Sequence, residues 1–229
     1  MPPKAGKRKQ KAPPSKPRPR SLSRLDFRSP ADGAWYGARV TVQRGALRVM
    51  YEEFLEELDE WYDPAALAAA ASARGGGGVA AVAALRARFR VASPPLDDAR
   101  CRDLRAGAPL CVSCPLDGNL LKFYDAVLES VSPAAHYRDA GGEERCGCRF
   151  MLRWAEGPRA GSREEVGVER VCCVQPTPVQ DPVLDEFFDG VTKLLGDGGG
   201  GATASREIGG GVPTDAPPGF QRKFGARAE

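Results

Sequence analysis

Long apolar runs are missing from this sequence of 229 residues. No segment approaches the roughly 20 consecutive apolar residues that a membrane-spanning helix requires, which excludes a transmembrane protein. The positively charged N-terminal segment has no apolar stretch behind it, so we expect no secretory signal peptide. The cysteines are therefore expected in a reducing compartment, where free thiols and metal ligands are more common than disulfides.

Histidine is nearly as scarce, since His136 is the only one in the chain. This histidine could in principle activate a cysteine thiolate as a nucleophile. However, no glycine loop of the type that builds an oxyanion hole adjoins any of the seven cysteines, and no second histidine remains for another role. We therefore predict no catalytic residues and no enzymatic activity.

Acidic residues are absent from the first 20 positions, which carry eight Lys or Arg residues. The rest of the chain has 25 basic and 30 acidic residues, a net charge of −5. A proline-rich basic segment without apolar periodicity cannot bury enough surface to fold, so residues 1–24 are predicted to be a disordered tail. This tail suits nuclear import or a weak contact with nucleic acid.

The Gly/Pro-rich residues 196–229 are predicted to be disordered as well.

The pattern after the basic tail is typical of short β-strands. An aromatic and β-branched run at 34–42, a turn and a second apolar run at 47–51 predict a hairpin. A third strand is predicted near 58–62, with a helix as the alternative. We assign these elements to a first strand-rich module at about 25–62. An Ala/Gly-rich insertion follows at about 64–84 and has no large side chains to pack.

A second strand-rich module is predicted at about 100–176, after a proline connector. Beyond it, residues 181–195 place apolar side chains at helical spacing, with acidic residues at the start, which predicts an amphipathic helix. The apolar face of this helix either docks on the body of the protein or binds a partner.

Several cysteines and the one histidine have a spacing that suits a metal site. His136 lies ten residues before a Cys-x-Cys pair, Cys146 and Cys148, and two further cysteines, Cys111 and Cys114, lie upstream. Zinc takes four nitrogen or sulfur ligands in a tetrahedron. A Cys₃His site could therefore form from His136, Cys146, Cys148 and one of the two upstream cysteines. In the alternative interpretation the cysteines are small buried strand residues and the histidine belongs to a loop.

Three aromatic residues, Tyr36, Tyr51 and Phe54, lie beside or within an acidic run at 52–63. Aromatic faces attract methylated ammonium groups, and nearby carboxylates attract a cationic peptide. An acidic surface has the wrong sign for binding phosphates. The alternative is that the rings pack a core and the carboxylates form a solvated face.

Seven motifs, in their order and spacing, resemble the plant SAWADEE domain over residues 25–176. They are AWYGARV at 34–40, RVMYEEF at 48–54, LDEW at 58–61, SPPLDDARC at 93–101, LC at 110–111, CGCRFMLRW at 146–154 and EEVGVERVC at 164–172. The resemblance implies a mainly β fold of two packed, tandem Tudor-like small β-barrels, with zinc in the second barrel. The C-terminal helix and the two disordered tails complete the expected architecture.

The resemblance also implies a function and the residues that perform it. The family binds methylated lysine on the heterochromatin-type histone tail, and Tyr36, Tyr51 and Phe54 match its aromatic cage. The matching zinc ligands are Cys111, His136, Cys146 and Cys148, with Cys114 as the alternative to Cys111. Gly37 stands where family members often carry an acid that helps to recognise an unmodified lysine.

We therefore expect a nuclear chromatin-binding module that recognises a methylated lysine of a histone tail. Related plant proteins that also carry a homeodomain help to bring the RNA polymerase IV machinery to sites of RNA-directed DNA methylation, and no homeodomain is visible in this sequence. Two alternatives stay open. One is a zinc-containing nucleic-acid-binding protein that uses the basic N-terminal arm, and the other is a scaffold that has lost histone binding and acts through its C-terminal helix.

Overall fold

The computed structural model describes residues 24–72, 78–116 and 120–197. Within these ranges the chain is mainly β, with short antiparallel strands and three α-helices, as the sequence predicts. The strands are β1 Leu25–Arg28, β2 Trp35–Gln43, β3 Ala46–Tyr51, β4 Glu60–Tyr62, β5 Phe89–Val91, β6 Pro109–Leu116, β7 Leu120–Ser132, β8 Tyr137–Arg138, β9 Glu144–Arg145, β10 Arg149–Trp154, β11 Arg163–Val166 and β12 Val171–Cys173. The helices are α1 Pro64–Ser72, α2 Gly78–Arg86 and α3 Pro182–Asp197. Of the two predicted tails, only Arg24, Gly196 and Asp197 lie within the described residues.

Strands β1 to β5 form an antiparallel group that we call the first β unit. Strand β2 pairs with β1 and β3, β3 also pairs with β4, and β1 also pairs with β5. Alternate residues point inward, so Val40, Leu47 and Val49 are buried. Arg44 and Gly45 have φ values of 52° and 85°, which is the backbone of a tight hairpin turn. The predicted hairpin is therefore present, and β4 is a strand rather than the alternative helix.

Helix α1 and most of α2 lie in the Ala/Gly-rich insertion at about 64–84, and α2 continues to Arg86. Residues 73–77 between them are outside the described part of the chain. Val82 and Leu85 of α2 are buried in the same core as Leu25 and Phe27 of β1. The insertion thus supplies side chains to the core, although its composition predicts little packing.

Strands β6, β7, β10, β11 and β12 form the second β unit. The long strand β7 pairs with β6 on one side and with β10 on the other, while β11 pairs with β10 and β12 with β6. A pairing of Trp35 in β2 with Phe123 in β7 joins the two units into one ten-stranded sheet in the described part of the chain. Strands β8 and β9 form a separate hairpin outside this sheet.

A largely buried polar network holds the two units in register. Arg90 of β5 forms ion pairs with Asp125 of β7 (2.6 Å) and Asp26 of β1 (3.4 Å), and its guanidinium lies 3.7 Å from the ring centroid of Trp35. The Trp35 indole N–H donates to the same Asp125 carboxylate at 3.0 Å. Because buried charges are stable only when paired, this network fixes β2 against β7, and with β2 the neighbouring residue Tyr36.

Helix α3 packs against the first β unit. The carboxylate of Asp181 caps its N-terminus by accepting the backbone N–H groups of Val183 (2.9 Å) and Leu184 (3.3 Å). Its apolar face lies in the core that also contains β1, β2 and β3, through Val183, Leu184, Phe187, Phe188 and Val191. The predicted amphipathic helix is therefore present and docks on the body of the protein. No helix in the described ranges has both the length and the apolar character needed to cross a membrane.

Candidate functional site

Three aromatic rings meet where β2 and β3 approach the second β unit. Tyr36 and Tyr51 have ring centroids 5.5 Å apart, Tyr36 and Phe54 are 5.6 Å apart, and Tyr51 and Phe54 are 5.8 Å apart. The interplanar angles of 76°, 81° and 65° make all three contacts edge-to-face. We call this set the three-ring cluster. Because each ring presents a different plane, the arrangement has the geometry of three walls of a box.

The backbone between two of the rings is strained. Strand β3 ends at Tyr51, and Glu53 has a φ of 68°, in the left-handed region that side chains other than Gly, Asn and Asp seldom adopt. The N–H of Glu52 donates to the carbonyl of Gly37 at 2.8 Å and anchors this turn to β2. The turn therefore brings the Phe54 ring back onto the Tyr51 ring instead of continuing the strand.

The rings differ in burial. Tyr36 is only 4% exposed and belongs to the core of the second β unit, while Tyr51 and Phe54 are partly exposed and pack against that same core. Tyr51 also contacts Phe27 of the first unit, with ring centroids 6.0 Å apart. The three-ring cluster thus lies between the two units and keeps part of its surface open to solvent. Such a set of faces can attract an ammonium group through the ring quadrupoles.

Carboxylates accept the hydroxyl groups of both tyrosines. Tyr36 donates to Asp32, which also receives the ammonium of Lys122 at 2.8 Å, and Tyr51 donates to Glu60. Burial, reinforced by these carboxylates, raises the pKa of both phenols well above the usual value. Both tyrosines are therefore neutral hydrogen-bond donors at physiological pH.

An acid lies close to Gly37 although position 37 has no side chain. A Cβ atom placed on Gly37 would lie only 2.8 Å from a carboxylate oxygen of Glu52, so Glu52 fills the space that a side chain would need. This carboxylate also pairs with Arg24 (3.2 Å) and Arg39 (3.3 Å). Glu52 thus places a carboxylate beside Gly37, the position at which the sequence departs from the family pattern.

A second group, which we call the thiol–imidazole cluster, lies at one end of the second β unit. The potential ligand atoms of Cys101, His136, Cys146 and Cys148 all lie within 4.8 Å of one another. The Cys101 Sγ lies 3.2 Å from His136 Nε2 and 3.8 Å from the Cys148 Sγ, and Cys148 Sγ lies 3.7 Å from the same nitrogen. A tetrahedral zinc ion requires S–S separations of about 3.8 Å and S–N separations of about 3.5 Å. The residues therefore fit a metal ion of this kind.

Neighbouring groups orient this cluster. The Nδ1 atom of His136 is 2.6 Å from a carboxylate oxygen of Glu144, which turns Nε2 towards the thiols. The β8–β9 hairpin brings His136 and Cys146 together from its two ends. A hydrogen bond from the backbone N–H of Ala134, assisted by His136, lowers the pKa of the Cys148 thiol to about 7. The lower pKa increases the fraction of Cys148 present as the thiolate, which is the form that binds metal.

The structure corrects one predicted ligand. Cys111 lies in β6, is fully buried, and pairs across the ladder with Cys172 beside Trp35 and Phe123. The Cys111 thiol is therefore a packing group, and Cys101 takes its place beside the other three predicted residues.

Cys114, the alternative to Cys111, is also buried in β6 and is not part of the cluster. Cys101 belongs to the SPPLDDARC motif and lies in a short 3₁₀ helix, Asp98–Asp103. Its polar surroundings in sequence could have marked it as a ligand, because a cysteine outside an apolar strand has no evident packing role.

A model of the SAWADEE domain family matches residues 21–172, about two thirds of the chain. The chain therefore belongs to the SAWADEE domain family, a class of chromatin-reader domains. A search of curated proteins finds no match.

Two solved structures of SHH1 SAWADEE domains resemble the chain. One is a selenium-substituted mutant from Arabidopsis thaliana, 19% identical, with a TM-score of 0.47 over 68% of this chain and 98% of that one. The other is a complex with an H3K9me3 peptide, 20% identical, with a TM-score of 0.46 over 67% and 98%.

Proposed function

We propose that this protein binds a methylated lysine of a histone tail in the three-ring cluster. Family membership supports a chromatin-reader role. The single observation that carries the proposal is the mutual edge-to-face packing of Tyr36, Tyr51 and Phe54 at centroid distances of 5.5–5.8 Å. A methylammonium group enclosed by such rings gains attraction from each ring face.

Carboxylates beside the cluster assist binding of a basic peptide. Glu53, Glu56 and Glu57 are exposed in the segment that follows β3. In such an arrangement the carboxylates increase the rate and affinity of association by long-range attraction, while the rings distinguish methylated from unmodified lysine. Binding in this manner breaks no covalent bond, in keeping with a reader rather than an enzyme.

We further propose that the thiol–imidazole cluster binds zinc through Cys101, His136, Cys146 and Cys148. Zinc would supply a structural crosslink between the 3₁₀ helix, the β8–β9 hairpin and the start of β10. The chain's own contribution is to orient the ligands, through Glu144 on His136 and the Asp98 carboxylate, which accepts the Cys146 N–H at 2.8 Å. These supporting contacts are typical of metal sites.

The cellular setting follows from the same proposal. A histone-tail reader acts in the nucleus, and the basic residues 1–20 suit nuclear import. We further propose that the protein acts in gene silencing or RNA-directed DNA methylation. In that role its partner would be the RNA polymerase IV machinery. Co-purification of tagged protein with polymerase subunits from plant nuclei would test it.

Peptide titration tests the proposed binding directly. We expect the purified chain to bind a histone-tail peptide carrying mono-, di- or trimethyllysine more tightly than the unmodified peptide at fixed salt. Phe54→Ala should weaken binding of the methylated peptide at least about fivefold, because one ring face is lost. Leu55→Ala is the matched control, since the neighbouring Leu55 is 74% exposed. Equal, salt-sensitive binding of all the peptides would contradict the proposal.

The basic residues 1–20 favour a second candidate function, in which the N-terminal arm binds nucleic acid. Binding through lysine and arginine contacts to phosphates should fall steeply as salt rises. Deletion of residues 1–20 should abolish DNA or RNA binding and leave methyl-peptide binding in place. If the intact chain shows no salt-dependent retention on nucleic acid, this candidate is removed.

A further inference from the structure

Glu60 of β4 has an unusual position behind the three-ring cluster. Its two carboxylate oxygens accept the hydroxyl groups of two tyrosines, Tyr51 of the cluster and Tyr62 of the same strand. Tyr62 in turn contacts the buried Phe27, with ring centroids 6.3 Å apart. Glu60 therefore links the Tyr51 ring to the core of the first β unit.

Glu60 forms no direct ion pair in the described part of the chain, and the positive charge of Arg88 acts on its partner Tyr62 only through space. Glu60 is itself only partly exposed. The carboxylate behind the other cluster tyrosine differs, because Asp32 pairs with Lys122 at 2.8 Å. The carboxylate behind Tyr36 thus has a direct ion-pair partner, whereas the carboxylate behind Tyr51 has none among the described residues.

The charge of Glu60 acts on the ring as well as on the ligand. A phenol that donates its proton to a carboxylate carries more electron density on its ring face, which strengthens the attraction of a cation. A carboxylate shielded from water also attracts a cation more strongly than an exposed one does. Neither effect acts on an uncharged ligand of the same shape.

We propose that Glu60 determines the preference of the three-ring cluster for a positively charged side chain over an uncharged side chain of the same shape. This inference rests on the proposed function, since it concerns the group that enters the cluster. Glu60 is a positioning and specificity-determining residue that acts through the Tyr51 ring.

The test compares two peptides that differ by one atom. One carries trimethyllysine, and the other carries the neutral isostere in which carbon replaces the quaternary nitrogen. For the unmodified protein we expect a clear preference for the cation. Glu60→Gln keeps the shape of the side chain and both hydrogen bonds, because the amide oxygen accepts from one hydroxyl and the amide N–H donates to the other. We expect it to lower the cation-to-isostere affinity ratio about threefold to tenfold, with little change in isostere affinity.

Glu57→Gln is the matched control, since it removes an equal charge from an exposed residue of the same acidic segment. It should leave the ratio within about twofold, because solvent screens an exposed charge. An equal fall of the ratio in both variants, or an unchanged ratio in Glu60→Gln, would overturn the proposal. Loss of isostere and cation affinity in equal proportion would also overturn it, because that result indicates a purely structural role.

A second variant covers the case in which Glu60→Gln does not fold. Tyr51→Phe keeps the ring and removes the hydroxyl, which is hydrogen-bonded to Glu60 and to Ser29, so the ratio should fall at least about twofold. An unchanged ratio would contradict the inference. Failure of the underlying function is distinguishable, because the unmodified protein would then fail to prefer the trimethylated peptide over the unmodified one.

Discussion

The three-ring cluster and the thiol–imidazole cluster are assembled in different ways. The rings all come from residues 36–54, and one hairpin with its following turn brings them together. The four potential ligands come from residues 101–148, on a 3₁₀ helix, a loop and the two sides of a small hairpin. Local strand pairing therefore explains the first cluster, whereas the second depends on contacts between segments that are distant in sequence.

The two clusters are nevertheless joined through one core. Tyr36, Cys101 and Cys148 belong to the same group of buried residues in the second β unit, and Tyr51 and Phe54 pack on it. A change that loosens the thiol–imidazole cluster should therefore reach the rings, because packed cores transmit small displacements. The predictions below test how independent the two clusters are.

The largest effect is expected for the metal ligands. Cys101→Ser should reduce bound zinc from about one ion per chain to almost none, because it removes one of four ligands. The free energy of unfolding should fall by several kcal/mol, since metal binding contributes to folding. Elemental analysis and urea denaturation of the purified variant measure the two effects.

Cys111→Ser is the matched control for this prediction. It replaces a buried packing thiol in β6 and should keep full zinc content, with a loss of about 1 kcal/mol in unfolding free energy from burying a hydroxyl group. If Cys111→Ser loses zinc while Cys101→Ser retains it, the assignment of the fourth ligand is wrong.

An intermediate effect is expected at the ion pair that supports Tyr36 from the second unit. Lys122, only 9% exposed, reaches Asp32 from β7. Lys122→Met would leave the Asp32 carboxylate shielded without a counter-ion, which should lower the free energy of unfolding by about 3 kcal/mol. Methyl-peptide affinity should also fall, because Asp32 accepts the hydroxyl of Tyr36.

The double variant Lys122→Met/Asp32→Asn provides the control for this experiment. Removing both charges should restore most of the stability, because no unpaired charge remains. Chemical denaturation of the single and double variants gives the comparison. A double variant no more stable than Lys122→Met would show that the unpaired carboxylate is not the cause.

The smallest effect is expected at the turn within the three-ring cluster. Glu53→Val and Glu53→Asn both remove one charge, but only Asn tolerates the left-handed backbone at this position. Glu53→Val should therefore be about 1 kcal/mol less stable than Glu53→Asn and should bind methylated peptide more weakly. Thermal denaturation and peptide titration measure both differences. Identical behaviour of the two variants would mean that the backbone at Glu53 does not position Phe54.

Particular elements show why some features could be predicted and others not. The hairpin of β2 and β3 and helix α3 were predictable because each has its own periodicity, and the structure confirms both. His136, Cys146 and Cys148 were grouped because they are close in sequence, and the structure places their potential ligand atoms within 4.8 Å of one another. Cys111, with Cys114 as its alternative, was predicted as the fourth ligand and Cys101 was not considered, but the alternation of β6 turns the Cys111 thiol into the core beside Cys172.

The amino-acid sequence by itself determined the mainly β character, the C-terminal helix and the family of this protein, because periodicity, turn residues and motif order are local properties of the chain. Only the tertiary structure decided that Cys101 completes the thiol–imidazole cluster, that Glu52 fills the space beside Gly37, and that carboxylates lie behind both tyrosines. Those features arise from side chains that meet across separate strands, and the distances between such side chains are not encoded in their spacing along the chain.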